Sequence, residues 1–261
     1  MITGVVAAVS LVFLIPRCTV LSDPLFTYAL GSNVECDLLR IMTPSGKFGY
    51  IDTHGNIVVK PDFSNASPRF ASGLAPVMTA DGRWGFINRL GEWSIKPAFG
   101  MATDFSDDGL AAVSLDGKWG YCDTSGNVVI APQFDFACQF QNGVATVGKE
   151  ALVSRIRTEF ADEGATCVYW YIDMKGRRVS KATAERLITS KPRATSDPMQ
   201  WQCVEHEGKW GYRAGHSDSW QIPPMYDYAY PFSCGFAEVF IAGKMRVIDT
   251  NGVEIWSADA K

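Results

Sequence analysis

The sequence is poor in the residues and patterns that mark catalytic or cofactor chemistry. It has three histidines in 261 residues. His54 lies in a turn, His206 sits ahead of another, and His216 falls in Gly215-His216-Ser217-Asp218. None recurs and none stands at HExxH spacing, so they read as surface turn residues. Metal ligands and general bases come with oriented partners. The seven cysteines are Cys18, Cys36, Cys122, Cys138, Cys167, Cys203 and Cys234. The number is odd, no pair has CxxC spacing, and no repeated position carries one. A disulfide framework or zinc site needs regular partners, so most read as buried free thiols behaving as small hydrophobes. An isolated disulfide stays open. A glycine-rich phosphate loop, a nucleophile elbow and a nucleotide fingerprint are missing. No cofactor, metal or catalytic residue is expected.

Positive charge is also sparse where it would matter. The net charge is -4, and lysine and arginine are scattered, with the densest group at Lys175–Arg178. A phosphate-binding face shows itself as a basic cluster, so nucleic acid is excluded as a partner. Long apolar runs are absent too. The longest, Val5–Ile15, falls well short of the roughly 20 residues a spanning helix needs. Its length matches a signal-peptide core, yet no lysine or arginine precedes it, and Pro16-Arg17 stand before Cys18 where a lipoprotein signal wants small residues. Ala7–Leu11 also repeats word for word at Ala111–Leu115, inside a repeat strand. Segment 1–21 therefore reads as a signal, an anchor or a divergent strand. Export to the envelope and a cytoplasmic location both stay open, and membrane attachment requires that this segment be an uncleaved anchor.

What is abundant is one phrase. Gly46-Lys47-Phe48-Gly49-Tyr50-Ile51-Asp52 returns as Gly82-Arg83-Trp84-Gly85-Phe86-Ile87-Asn88, as Gly117-Lys118-Trp119-Gly120-Tyr121-Cys122-Asp123, and as Gly208-Lys209-Trp210-Gly211-Tyr212. The step is 36 residues from Phe48 to Trp84 and 35 from Trp84 to Trp119. A second glycine follows at Gly55, Gly91 and Gly126, then an apolar run to Pro61, Pro97, Pro132 and Pro224. Two residues on stands an aromatic (Phe63, Phe99, Phe134, Tyr226), and three further an alanine (Ala66, Ala102, Ala137, Ala229). Each unit closes on a phenylalanine, a glycine and an alternating segment such as Leu110–Val113. Degenerate copies occur at Tyr169–Asp173 and Met245–Asp249, and Pro24, Phe26 and Ala29 keep part of the spacing upstream.

The parts of the phrase predict a fold. The closing segment has the period of a half-buried strand. Asp81-Gly82 and Asp116-Gly117 between two strand patterns are hairpin signals, because that turn needs positive φ. Trp-Gly-Tyr-Ile-Asp is the next strand, a turn ending at Gly126 follows, and the proline ends the third strand by removing a ladder donor. The glycine beside the tryptophan implies close approach of the indole or of a neighbouring strand over bare backbone. Units with Phe or Trp keep this glycine, and the two without have Trp170 and Arg246 instead, so the two positions act as a pair. One such meander cannot bury its own apolar face, and copies must stack. The prediction is an all-β chain of tandem three-stranded antiparallel meander repeats, each about 35 residues, stacked into a solenoid or barrel-like body. One short helical insertion is expected near 181–190. Propeller blades are longer and have four strands. The organisation is 1–21, apolar segment; 22–149, a partial copy and three regular units; 150–207, a degenerate repeat with insertions; and 208–261, the C-terminal repeats.

The phrase [KR]-W-G-[YF]-I-[DN]-x-x-G, with P-x-F and F-x-x-G-L-A-x-V after it, resembles the WG-repeat (KWG-repeat) proteins, which occur widely in bacteria. The match is good over residues 45–148 and looser over 169–180 and 208–256. The resemblance implies a β-rich repeat domain that mediates interactions, and it brings no catalytic residues.

Two groups of residues invite a functional reading. The column Asp52, Asn88, Asp123, Asp173 and Asp249 could form a row of calcium sites, but calcium needs several converging oxygens, and each turn offers about one. Bonding to the turn's own backbone is the simpler reading. Trp93 and Trp220 share a column with Ile57, Val128, Arg178 and Glu254. A column that accepts arginine and glutamate faces outward. With Tyr228 and Tyr230 these tryptophans are the candidate partner-binding patch. The expected function is a non-catalytic module binding another protein or an envelope component. The alternative is a carbohydrate-binding or hydrolytic β-protein that uses the exposed tryptophans and an unrecognised carboxylate pair.

Overall fold

A computed structural model of the chain describes residues 34–35, 37–151, 166–190, 201–215 and 218–259. The N-terminal segment 1–21, the Pro24–Ala29 fragment, His216 and the loop at 191–200 lie outside the described residues.

The chain folds as a succession of antiparallel sheets, with strand making up 59% of the described residues. A short β1 (Val34–Glu35) precedes the first sheet, β2 (Leu38–Met42), β3 (Phe48–Asp52) and β4 (Ile57–Phe63). The second comprises β5 (Asn65–Ala66), β7 (Ala75–Met78), β8 (Trp84–Ile87) and β9 (Trp93–Phe99), while β6 (Phe70–Ala71) pairs with β1. The third is β10 (Met101–Ala102), β11 (Leu110–Leu115), β12 (Lys118–Asp123) and β13 (Val128–Phe134). The fourth is β14 (Phe136–Ala137), β15 (Val144–Ala151), β16 (Thr166–Asp173) and β17 (Arg178–Val179), followed by helix α1 (Lys181–Thr189). The fifth has β18 (Trp201–His206), β19 (Lys209–Ala214) and β20 (Trp220–Tyr226). The sixth has β21 (Tyr228–Ala229), β22 (Phe236–Ile241), β23 (Lys244–Asp249) and β24 (Glu254–Ser257). The chain divides into two compact units, Ala98–Pro192 and a second made of Ser32–Pro97 with Arg193–Lys261. The sheets are open ladders with two ends, and stacking rather than closure covers their faces.

The expected meander is present, with one addition. In four of the sheets a two-residue strand carrying the repeat alanine runs beside the first meander strand, as in Ala66↔Val77, Ala102↔Val113 and Ala229↔Val239. After the proline and its aromatic the chain leaves the old sheet and pairs briefly with the new one. This fourth strand removes one of the two grounds that set the units apart from propeller blades. Their 35–36-residue length is the other.

The glycine of the Trp-Gly pair has a clear cause. Opposite it the third strand is bulged. Trp119 faces Phe134 and Tyr121 faces Ile130, so four residues oppose two. The same count separates Phe48↔Phe63 from Tyr50↔Val59, and Trp210↔Tyr226 from Tyr212↔Ile222. The bulged backbone lies directly on the glycine. A Cβ added at Gly49, Gly85, Gly120 or Gly211 would come no farther than 2.7 Å from the carbonyl oxygen of Val59, Ile95, Ile130 or Ile222. The proline nitrogen is within 2.8 Å in each case. The two degenerate copies present no such bulge: in the sixth sheet the extra residues are gone, and in the fourth β17 ends at Val179, opposite Tyr171. Arg246↔Ser257 is followed by Val247↔Trp256 in plain register, and Tyr171↔Val179 by Ile172↔Arg178. Side chains at Trp170 and Arg246 are therefore permitted where no bulge presses on them. Of the two readings, the neighbouring strand, not the indole, requires the glycine.

A second recurring device anchors the loop after the proline. Tyr50, Tyr121 and Tyr212 are fully buried. Their hydroxyls donate to the carbonyls of Ser67, Cys138 and Tyr230, each at 2.7 Å. Their rings meet Phe70, Phe140 and Phe232 with centroids 4.6–4.9 Å apart. A buried hydroxyl without such a partner would cost about 1–3 kcal/mol.

Neighbouring sheets share their filling. Within Ala98–Pro192, Trp119, Tyr121, Ile130 and Phe134 form one cluster with Phe140, Val147 and Ile172 of the next repeat. In the other unit Tyr50 and Val59 join Phe70, Val77 and Ile87, and Tyr212 and Ile222 join Phe232, Val239 and Ile248. Trp84 and Trp119 are buried and Trp210 is half-buried. The closing strand was expected to be half-buried. Instead Leu110–Ser114 of β11 is buried throughout, and its Leu110 and Ala112 pack with Phe140, Val147 and Ile172 of the next repeat. Small residues such as Ala111 and Ala112 suit that sandwich position. The turn glycine contributes as well: Gly126 has φ +86°, and the equivalent Gly176 and Gly252 sit against Ile130 and Ile222 of the preceding sheet.

The insertion regions are structural where they are described. Pairing of β15 and β16 extends to Ala151↔Thr166, a longer hairpin than in the other units. Helix α1 starts at Ser180, whose side chain accepts from the Thr183 amide. It buries Ala184 against Val144 and Tyr171, and Asn142 donates to the Leu187 carbonyl at its C-terminal end at 2.9 Å.

Replacing Gly120 with alanine is expected to cost about 3 kcal/mol, because backbone on the opposite side cannot retreat as a flexible side chain would. Gly117→Ala, a turn position with nothing within 4 Å of the added Cβ, should cost about 1 kcal/mol through its positive φ alone. Urea midpoints of the two variants test this. Equal losses would show that the bulge tolerates a side chain.

Candidate functional site

The Asp/Asn column is fully engaged by its own turns. Asp52 Oδ1 accepts from the amides of His54 and Asn56 at 2.9 Å, and Asp123 Oδ1 from Ser125 and Asn127 at 3.0 and 2.9 Å. Asn88, Asp173 and Asp249 repeat the same pair of bonds. The side chains of Asn56 and Asn127 donate to the second oxygen. These side-chain bonds, with the backbone amides, hold the Asp52 and Asp123 carboxyls below their ordinary range. Burial would raise Asp173, but its bonds from Arg177 and the turn amides outweigh that and lower it. The column caps turns. Among the described residues no group of three or more histidine, cysteine or acidic side chains is arranged to hold a metal.

The cysteines divide. Cys122, Cys138 and Cys203 are free thiols. Burial pushes the Cys122 thiol up to about 12, with Asp123 adding to it. Burial likewise pushes Cys138 and Cys203 up to about 11. Such thiols are poor nucleophiles at neutral pH. Cys234, half-buried in the turn before β22, is disulfide-bonded. His54 lies in its turn as expected, and His206 stacks near Trp220, centroids 5.9 Å apart.

The column faces outward at Ile57, Trp93, Val128, Arg178 and Glu254, whereas Trp220 in the same column is half-buried. The third strands of the regular units begin with two exposed residues, giving Ile57 at 56% and Val58 at 39% exposure, and Val128 and Val129 at 45% and 47%. Arg178 and Glu254 are exposed in the same column. These strands are the ends of their sheets, with a hydrogen-bonded neighbour on one side. Trp93 is 38% exposed and meets Phe63 edge-on at 5.8 Å. Trp220 is half-buried, with the Arg213 guanidinium over its ring at 4.2 Å. Arg178 covers Trp170 the same way at 4.3 Å. Tyr228 and Tyr230 pack against each other at 5.1 Å, and Tyr228 also meets Trp210 at 5.5 Å. The four candidate residues thus belong to the second, fifth and sixth sheets, and the tyrosine pair sits within an aromatic group that includes Trp210 and Phe240.

Sequence reasoning missed a set of ion pairs. In two of the phrases the opening lysine reaches the aspartate just beyond the proline and aromatic, Lys118–Asp135 and Lys209–Asp227, while Lys47 in the first donates to the Asp62 carbonyl. The 17- and 18-residue spacing was a usable signal. The repeat model for the WG-containing repeat matches residues 48–82, 84–119, 119–151 and 219–244. The chain is a WG-repeat protein. No curated protein matches its sequence. Among solved structures it is similar to a eukaryotic initiation factor at 10% identity and TM-score 0.34, over 88% of this chain and 67% of that one. It is also similar to Kluyveromyces lactis Hsv2 at 13% identity and TM-score 0.32, over 86% and 61%. A third likeness is to AztD from Citrobacter koseri at 14% identity and TM-score 0.19, over 86% and 60%. At these values the likenesses carry no argument about activity.

Two outcomes follow from the titrating groups of this WG-repeat protein. The stability contributed by Asp52, Asp123 and Asp173 is complete above the unfolded aspartate value of about 3.9. It is lost as pH falls through their lower folded values. Urea midpoints should therefore drop below about pH 4, and Asp123→Ala should flatten that drop. Iodoacetamide at pH 8 should leave Cys122, Cys138 and Cys203 unmodified in the native protein and label them in urea. Rapid native labelling of Cys122 would contradict its raised pKa.

Proposed function

We propose that this WG-repeat chain is a non-catalytic module that binds another protein or an envelope component through the outer strands of its sheets. The observation that carries this reading is the exposed apolar column of β4, β9 and β13: Ile57, Val58, Trp93, Val128 and Val129. Single exposed apolar residues are ordinary. A repeated exposed column on strand after strand is not, since solvent favours polar residues there and the degenerate copies show that arginine and glutamate fit. The carboxylates of Asp52, Asp123, Asp173 and Asp249 serve their own turns, and the hydroxyls of Tyr50, Tyr121 and Tyr212 serve loop carbonyls.

The test is affinity capture from native extract with the parent chain and with Trp93→Ala/Trp220→Ala, read by mass spectrometry. Partners retained by the parent should fall several-fold with the variant, while circular dichroism stays unchanged. An identical partner set would reject the tryptophans as contact residues. Binding of oligosaccharides by the parent, abolished in the variant, would favour the carbohydrate-binding reading instead.

A further inference from the structure

The middle residue of the first meander strand forms a column across all six sheets. Each member pairs with the residue at the buried tyrosine position: Arg40↔Tyr50, Pro76↔Phe86, Ala112↔Tyr121, Thr146↔Tyr171, Cys203↔Tyr212 and Glu238↔Val247. Four members are neutral. The two charged ones are of opposite sign, and they belong to the first and last sheets. They meet, although 198 residues separate them. Arg40 Nη2 lies 2.6 Å from Glu238 Oε2 and Nε lies 3.2 Å from Oε1. Nη1 donates to the Ala66 carbonyl at 2.9 Å, so one guanidinium ties the sixth, first and second sheets together. Both side chains are only 16% exposed. Ile41, Ile51, Met245 and Val247 form a buried cluster along the same seam. The first-sheet turn at Gly55 presses on the Ile255 carbonyl of β24.

We infer that the Arg40–Glu238 pair is a specificity device that directs the last sheet onto the first sheet of the same chain. All six sheets carry similar apolar faces, so nothing in the apolar filling alone tells the sixth sheet which face to cover. It could equally well be covered by the first sheet of another copy, a head-to-tail contact that propagates. A buried ion pair is a poor source of stability, because desolvation offsets its attraction. It does penalise every arrangement that leaves one charge buried alone. Among the described sheets, placing the column's two charges in the first and the last makes the seam between them unlike the others.

Full-length parent, Arg40→Met, Glu238→Gln and Arg40→Met/Glu238→Met would be refolded from urea over a range of concentrations. Size-exclusion chromatography with light scattering and hydrogen exchange would read the products. Each single variant should speed exchange in β2 and β22 together by about tenfold or more relative to β11 and β12. The double variant leaves no charge unpaired, so it should fold with parental circular dichroism yet yield larger species whose share grows with refolding concentration. The proposal fails if the double variant gives the parental elution profile at every concentration, or if it does not fold. It also fails if a folded single variant leaves exchange in β2 and β22 unchanged. Should both single variants fail to fold, the double variant decides alone.

Discussion

One contact underlies the repeat: a bulged strand lying on bare backbone. Four residues of the third strand oppose two of the second, and the extra backbone needs somewhere to go. It goes onto the glycine beside the tryptophan. The proline in the bulge has no amide hydrogen to leave unpaired, and its ring keeps the ladder from closing up again. The aromatic then returns to the sheet opposite the tryptophan, and the chain is aimed at the next unit. Glycine, proline and aromatic are one device, and they are lost together. Where the bulge is gone, Trp170 lies under Arg178 and Arg246 pairs with Glu254 and Asp259.

From that contact follows the way the sheets share a core. The bulge steers the chain so that the alanine segment joins the new sheet, and the buried tyrosine then holds the connecting loop by its carbonyl and by a phenylalanine ring. A strand buried along its whole length must be small or apolar on both faces, as Leu110–Val113 of β11 is. Groups that serve chemistry in other proteins are consumed in this scaffold. Cys122 is buried and Cys138 and Cys203 are half-buried, the turn aspartates accept from their own backbone, and Lys118, Lys209 and Lys244 pair with Asp135, Asp227 and Asp259. What the scaffold leaves over is the start of each outer strand, where Ile57, Val128 and Trp93 meet solvent.

Much of this was legible in the residues. The meander, the turn-capping role of Asp52 and its equivalents, the helix near 181–190 and the outward column were all readable from spacing and substitution. Each depends on neighbours within a few residues or on a repeated column. The reason for the glycine was half readable, since two candidates for the close approach fitted equally well until the register was known. The fourth strand was not readable, because two residues carry no period. Full burial of Leu110–Ser114 was missed for a related reason, as alternation reports one covered face and is silent about the other.

The sequence by itself determined the brick: its strands, turns, bulge and the family to which it belongs. These are local, and every copy states them again. Only the tertiary structure decided which brick meets which. It brought Trp93, Trp220 and the Tyr228–Tyr230 pair onto different sheets, and it joined Arg40 to Glu238 across the chain. Repetition is the physical reason. Identical apolar faces specify that stacking occurs but not the order of partners. That information sits in isolated exceptions to the repeat, which become meaningful only once the faces are seen in contact.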